Sequence, residues 1–172
     1  MSKNLQRLAS LATLSTLLLA GTAAPSLAGT ATSSFAVTAT VANSCIVSST
    51  TLAFPTYLPT SASATTGSTA VDVTCTLGAP YTVALSNGSG TGADPTAGAS
   101  GRKMTGPSSA LLGYNLYQDA GYTQAWGSTG VYLLSGTGTG VQVPLTVYGR
   151  IPASQVAAAG NYTDTINVTV SF

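Results

Sequence analysis

Several stretches of this chain alternate apolar and polar residues with period two. The first is Phe35, Val37, Ala39 and Val41, separated by Ala36, Thr38 and Thr40. Val71, Val73 and Cys75 share a face opposite Asp72 and Thr74, and Tyr81, Val83 and Leu85 follow in the same rhythm. Val141, Val143, Leu145 and Val147 alternate with Gln142, Pro144, Thr146 and Tyr148. The last stretch sets Tyr162, Asp164, Ile166, Val168, Val170 and Phe172 against Thr163, Thr165, Asn167, Thr169 and Ser171. Period two is the mark of a strand with one buried face. Residues 111–117 are mixed in pattern, which predicts a strand buried on both faces.

The intervening segments carry turn chemistry. Gly78-Ala79-Pro80 predicts a hairpin between the strands on either side. Residues 61–68, 87–109 and 136–140 are rich in Gly, Ser and Thr and read as loops. Arg102-Lys103-Met104 interrupts the second of these as a short edge strand, where charge discourages unwanted pairing. Residues 118–128 form a turn-rich connection, and residues 153–159 suit a brief helical turn. Pro144 cannot donate to a ladder, so its strand lies at an edge or turns that nitrogen outward. The count is about seven short strands with no long amphipathic helix, which predicts an all-β antiparallel sandwich of immunoglobulin type. Its final strand runs to Phe172, where such a sandwich normally uses one more strand.

Composition adds an address. Lys3 and Arg7 precede an apolar run over residues 8–20, and Ser26-Leu27-Ala28 supplies the small residues a signal peptidase reads. This predicts a secretory signal over residues 1–28. The remaining residues carry Arg102, Lys103 and Arg150 against Asp72, Asp94, Asp119 and Asp164, a net charge of −1. Such a balance attracts neither nucleic acid nor an anionic membrane surface. No later segment is apolar for long enough to span a bilayer as a helix. Cys45 and Cys75 are the two cysteines of an exported chain, so a disulfide between them is expected, worth about 3–4 kcal/mol in the chain-entropy model.

Enzymatic readings find little support. The chain has no His, which removes His-based triads and His metal sites. No metal site and no cofactor are expected. Ser100 and Lys103 match S-x-x-K but lie in a Gly-rich loop without partner motifs. Asp119 and Asp164 are better suited to satisfying backbone groups than to acting as a glycosidase pair. Tyr122, Trp126 and Tyr132 suggest a sugar-binding patch, with core or subunit contacts as the competing use. The stretch Phe35–Val41 itself leaves two readings open: the first strand of its own sheet, or a strand that completes a neighbour.

A family resemblance bears on that choice. Asn43-Ser44-Cys45 follows the first alternating stretch. Gly113-Tyr114-Asn115-Leu116-Tyr117-Gln118-Asp119 looks like a central Y-N-x-Y-x-D segment. Tyr148-Gly149-Arg150-Ile151-Pro152 looks like an F/Y-G-x-I run, and Gly160-Asn161-Tyr162-Thr163-Asp164-Thr165 like a G-x-Y-x-D-T ending. In this order they resemble the spore coat protein U domain family, which includes major subunits of archaic chaperone–usher pili. The resemblance implies an incomplete immunoglobulin-like subunit completed by a donated strand. A periplasmic chaperone lends that strand during folding. An outer-membrane usher then exchanges it for the N-terminal segment of another copy or a related pilin.

The implied product is a surface fibre serving adhesion and biofilm formation. The implied organisation is a signal over residues 1–28, a donor segment over 29–43 and a pilin domain over 44–172. Phe35, Val37, Ala39 and Val41 would form the donor face. Ile166, Val168, Val170 and Phe172 would form the edge that accepts the chaperone or donor strand. The alternative is a secreted spore-coat-type or carbohydrate- or surface-binding sandwich that forms no pilus. One expectation stands apart from this choice: N-terminal mass analysis of exported protein should place the mature start at Gly29, and material retaining Met1 would contradict the signal.

Overall fold

The computed structural model describes residues 28–172. The signal segment over residues 1–27 lies outside the described residues. Contacts divide the chain into one unit ending at Ala39 and another running from Thr40 to Phe172. In the first unit, residues 28–39 form no helix or strand and are exposed.

The second unit contains eight strands. They are β1 (Cys45–Ser49), β2 (Thr65–Cys75), β3 (Pro80–Leu85), β4 (Arg102–Thr105), β5 (Leu111–Tyr117), β6 (Leu134–Thr137), β7 (Val143–Ile151) and β8 (Val168–Ser171). One sheet has the order β1-β2-β7-β5-β4 and the other β6-β3-β8, and every pairing is antiparallel. The sandwich of immunoglobulin type expected from the alternation is present. Val71 and Val73 of β2, Leu112 and Leu116 of β5, and Val147 and Ile151 of β7 meet Tyr81, Val83 and Leu85 of β3 in the buried core.

Cys45 opposes Cys75 in the β1–β2 ladder, and the two form the expected disulfide. Strand β5 is buried on both faces from Leu112 to Tyr117. Trp126 is fully buried and donates Nε1–H to the Val83 carbonyl at 3.0 Å. That excludes it from any exposed aromatic patch.

Several local expectations are corrected. The turn at Gly78-Ala79-Pro80 joins strands of different sheets and is not a hairpin. Residues 65–68 belong to β2, because its nine-pair ladder with β7 carries the strand past its apolar part. Their Thr-rich composition is compatible with a strand as well as a loop. Gly136 and Thr137 lie in β6.

Residues 153–159 form no helical turn. Instead Gln155 bonds through its side chain to the N–H and C=O of Gly113, and its own N–H donates to the Tyr57 hydroxyl. Pro144 sits in a strand that is central to its sheet. However, β5 pairs only with Tyr148, Gly149 and Arg150, so Pro144 faces β2 on one side alone.

The largest correction concerns Arg102. Strand β4 is an edge strand as expected, but Arg102 is wholly buried and guards no edge. Its guanidinium donates to the carbonyls of Leu85 (3.3 Å), Ser86 (2.8 and 3.1 Å) and Trp126 (2.7 Å), and to Asn115 Oδ1 (2.8 Å). Asn115 is also buried and donates to the carbonyls of Pro95 and Gly98, both at 2.8 Å. The pair therefore ties the 86–101 loop and the end of β3 to β4 and β5. Burial lowers the Arg102 pKa to about 10, which leaves it charged at neutral pH.

Replacing Arg102 by Met orphans the Ser86 and Trp126 carbonyls. At about 1–3 kcal/mol for each orphaned group, Arg102→Met should lower the unfolding free energy by about 3 kcal/mol in urea titration. A loss below about 1 kcal/mol would contradict this role.

Candidate functional site

The sandwich is open along one side. Between residues 49–59 and residues 157–168 lies a cleft of about 980 Å³. Its floor is the inward face of the sandwich and includes Val71, Leu85, Met104, Leu112, Leu116 and Ile151.

The first wall is built by the chain leaving β1. Thr50 holds this departure to β2 through its N–H to Ala70 O (3.3 Å) and a hydroxyl pair with Thr69 (2.7 Å). Leu52 and Phe54 then lie against the sheet at Gly67 and Gly149, which oppose each other in the β2–β7 ladder. A Cβ on Gly149 would stand 2.7 Å from the Phe54 ring and 2.9 Å from Leu52. The bare backbone there is what lets this segment approach. The Phe54 ring meets Tyr114 edge-on, with centroids 6.1 Å apart.

The second wall is the approach to β8. Thr163 exchanges two backbone bonds with Thr105, Ser86 N–H donates to the Asn167 carbonyl, and β8 then pairs with β3. Tyr162, Asp164, Ile166, Val168 and Val170 are half-buried, and the residues between them are exposed. The expected alternation thus holds from Tyr162, although regular strand begins only at Val168. Strand β8 is the edge of its sheet. Among the described residues, the backbone N–H and C=O groups of Tyr162, Asp164 and Ile166 make no hydrogen bond. An edge with free donors and acceptors above an apolar floor is a template for another strand.

One polar station interrupts this wall. Asp164 lines the cleft, and its carboxylate accepts from Ser89 N–H (2.7 Å), Ser89 Oγ–H (2.8 Å), Thr165 N–H (2.7 Å) and the Tyr114 hydroxyl (2.7 Å). Burial, reinforced by the bond to Asp164, raises the Tyr114 pKa, so the hydroxyl remains a donor. Gly88 adopts φ +94°, and a Cβ there would collide with the Asp164 carboxylate. Asp164 therefore locks the Ser89 loop and β5 to the second wall.

The structure distributes the expected site residues as follows. Ile166 and Val168 line the cleft, together with Tyr162 and Asp164, which the sequence reading left out of the accepting edge. Val170 is half-buried on β8 beyond the cleft lining, and Phe172 is 57% exposed beside Pro80 and Tyr81. Phe35, Val37 and Val41 are 87%, 83% and 83% exposed. The wall of Leu52 and Phe54 was also missed, because its contacts depend on two glycines distant in sequence.

The enzymatic candidates resolve into structural bonds. Lys103 Nζ donates to the Ser100 carbonyl at 2.7 Å. The Asp119 carboxylate accepts from the N–H groups of Thr123 and Gln124, which hold its pKa below the usual carboxylate value. Among the described residues, no three His, Cys, Asp or Glu side chains cluster as metal ligands.

The Spore Coat Protein U domain profile matches residues 31–169. The chain belongs to the Spore Coat Protein U domain family. Protein U of Myxococcus xanthus is 35% identical over 128 residues, covering 71% of this chain and 72% of that protein. In fold, the chain is similar to one chain of a crystal structure, the CsuC–CsuE chaperone–tip adhesion subunit pre-assembly complex from the archaic chaperone–usher Csu pili of Acinetobacter baumannii. The TM-score is 0.53 and the identity 23%, over 77% of this chain and 41% of that chain. This family member thus spans less than half the length of the solved chain it matches.

Tyr114→Phe removes one donor from Asp164 without changing the ring that packs on Phe54. Loss of a bond to a charged, partly buried acceptor should cost about 1–3 kcal/mol in urea titration. An unchanged midpoint would show that the Asp164 lock does not depend on Tyr114.

Proposed function

We propose that this chain is a structural subunit of a chaperone–usher surface pilus and polymerises by donor-strand exchange. The observation that carries the proposal is the row of unpaired backbone groups at Tyr162, Asp164 and Ile166 beside a cleft whose apolar wall residues are only half-buried. In this reading the floor is covered first by a strand of a periplasmic chaperone. At an outer-membrane usher, the donor segment of another copy, residues 29–43, replaces it. Phe35, Val37, Ala39 and Val41 then face the floor, and their backbone bonds to the edge. Burial stabilises such a joint by about 1.5–3 kcal/mol for each large apolar side chain.

Family membership and the likeness of fold to a chain of a chaperone–subunit complex support this reading. Export through the periplasm to the cell surface follows from it, as do adhesion and biofilm formation as roles of the fibre. The alternative is a spore-coat-type or surface-binding sandwich that forms no pilus. The 35% identity to Protein U of Myxococcus xanthus, in a family named for the spore coat, is the observation on that side.

Expression with a matching chaperone and usher separates the two. Burying an unpaired carboxylate costs several kcal/mol, comparable with the apolar gain of the joint. Val37→Asp should leave chaperone-bound subunit intact and abolish surface fibres. Thr38→Asp, on the opposite face, should be much milder. Normal fibres from Val37→Asp would sink the proposal. Loss of the chaperone-bound subunit would instead make residues 35–41 a strand of their own domain.

A further inference from the structure

The reading of the cleft as the seat of a donated strand, on which this inference rests, leaves the alignment of that strand open. Four wall residues at two-residue spacing line the cleft: Tyr162, Asp164, Ile166 and Val168. Three are apolar or aromatic and one is a carboxylate. The donor face also has four residues at two-residue spacing, three large and one small. We infer that Ala39 of one copy sits opposite Asp164 of the next, in an antiparallel pairing. Val41 then opposes Tyr162, Val37 opposes Ile166 and Phe35 opposes Val168.

The chemistry of Asp164 selects this alignment. Its carboxylate already accepts four hydrogen bonds, so it needs no donor from the incoming strand. Directly opposed residues bring their Cβ atoms to about 4.5–5.5 Å. A large apolar side chain there would desolvate the carboxylate without bonding to it. A methyl group desolvates it least. Sliding the strand by two residues puts Val37 or Val41 over Asp164 and leaves Ala39 opposite Tyr162 or Ile166 respectively, where it fills little. One of these slides also carries Phe35 to Val170, beyond the cleft lining.

The sense of the strand follows from growth. Ser44 enters β1 at the end of the sandwich where Thr76 N–H bonds its carbonyl, and the second wall runs toward that same end, with Ser171 opposite Thr82. A donor arriving from the other end lies antiparallel to the wall and leaves each copy's own root free. A donor arriving at the root end would set two copies root to root, a closed contact that cannot repeat into a fibre.

This alignment makes Ala39 and Asp164 a hydrogen-bonded pair, because the backbone groups of Asp164 point to the free edge. Thr38 and Thr165 are then a non-hydrogen-bonded pair, with Cα atoms about 4.5 Å apart and within reach of a disulfide. The test places Thr38→Cys in one chain with Thr163→Cys, Thr165→Cys or Asn167→Cys. Surface fibres are mildly oxidised, boiled in detergent and separated without reductant. Thr38→Cys with Thr165→Cys should give covalent multimers that reductant dissolves, and the other two combinations should lose that product. A stronger cross-link through position 163 or 167 would overturn the alignment and leave strand donation standing. Absence of cross-links in all three would overturn both. Independently, Ala39→Leu should abolish fibres while Ala36→Leu, on the opposite face of the segment, retains them, and normal fibres from Ala39→Leu would also overturn the alignment.

Discussion

An edge segment whose backbone groups make no hydrogen bond among the described residues, running beside a cleft with half-buried apolar walls, is the constraint around which this fold is arranged. The backbone groups of Tyr162, Asp164 and Ile166, unbonded among the described residues, are stable only while solvated or paired with another strand. Leu52, Phe54, Tyr57, Tyr162, Ile166 and Val168, half-buried along the cleft, gain from any apolar strand laid between them. Neither need is met by the strands of the sandwich itself, since β8 is the edge of its sheet. In the proposed fibre, a single incoming strand meets both at once.

An open cleft of this size must be held open by its walls. The first wall stands off through Leu52 and Phe54, which rest on the paired glycines at 67 and 149. The second is fixed by Asp164, which joins the Ser89 loop, Tyr114 and its own strand. Behind it, buried Arg102 gathers carbonyls from Leu85, Ser86 and Trp126 and an oxygen of Asn115. Ser86 also bonds Asn167 of the second wall, so the two polar networks meet on one short loop. Polar interactions thus set the position of the second wall, while apolar packing on two glycines seats the first.

Much of the architecture was legible in the sequence because it rests on period-two alternation. Tyr81, Val83 and Leu85, or Val71, Val73 and Cys75, announce one buried face, and the pattern does not depend on distant residues. Two cysteines behind an expected export signal likewise imply the 45–75 disulfide. Sheet membership was not legible, since local turn chemistry at Gly78-Ala79-Pro80 does not distinguish a hairpin from a crossing between sheets. Arg102 was misread because a charge in a Gly-rich stretch resembles a solvated edge. Its burial depends on carbonyls contributed by β3 and by Trp126. Alternation identifies the face that Ile166, Val168, Val170 and Phe172 share, but not that Ile166 and Val168 alone of these four line the cleft. Tyr162 and Asp164 were visible as members of that face, and only the geometry assigns them to the cleft.

The most direct measurement asks whether the cleft takes this chain's own segment. Protein lacking residues 29–43 would be refolded with and without a peptide of residues 33–43, and backbone hydrogen exchange followed across residues 157–171. The account predicts that the peptide slows exchange at Tyr162, Asp164 and Ile166, whose N–H groups are otherwise unpaired, and that a peptide carrying Val37→Asp does not. Exchange at these three residues that is unchanged by the wild-type peptide would contradict the account.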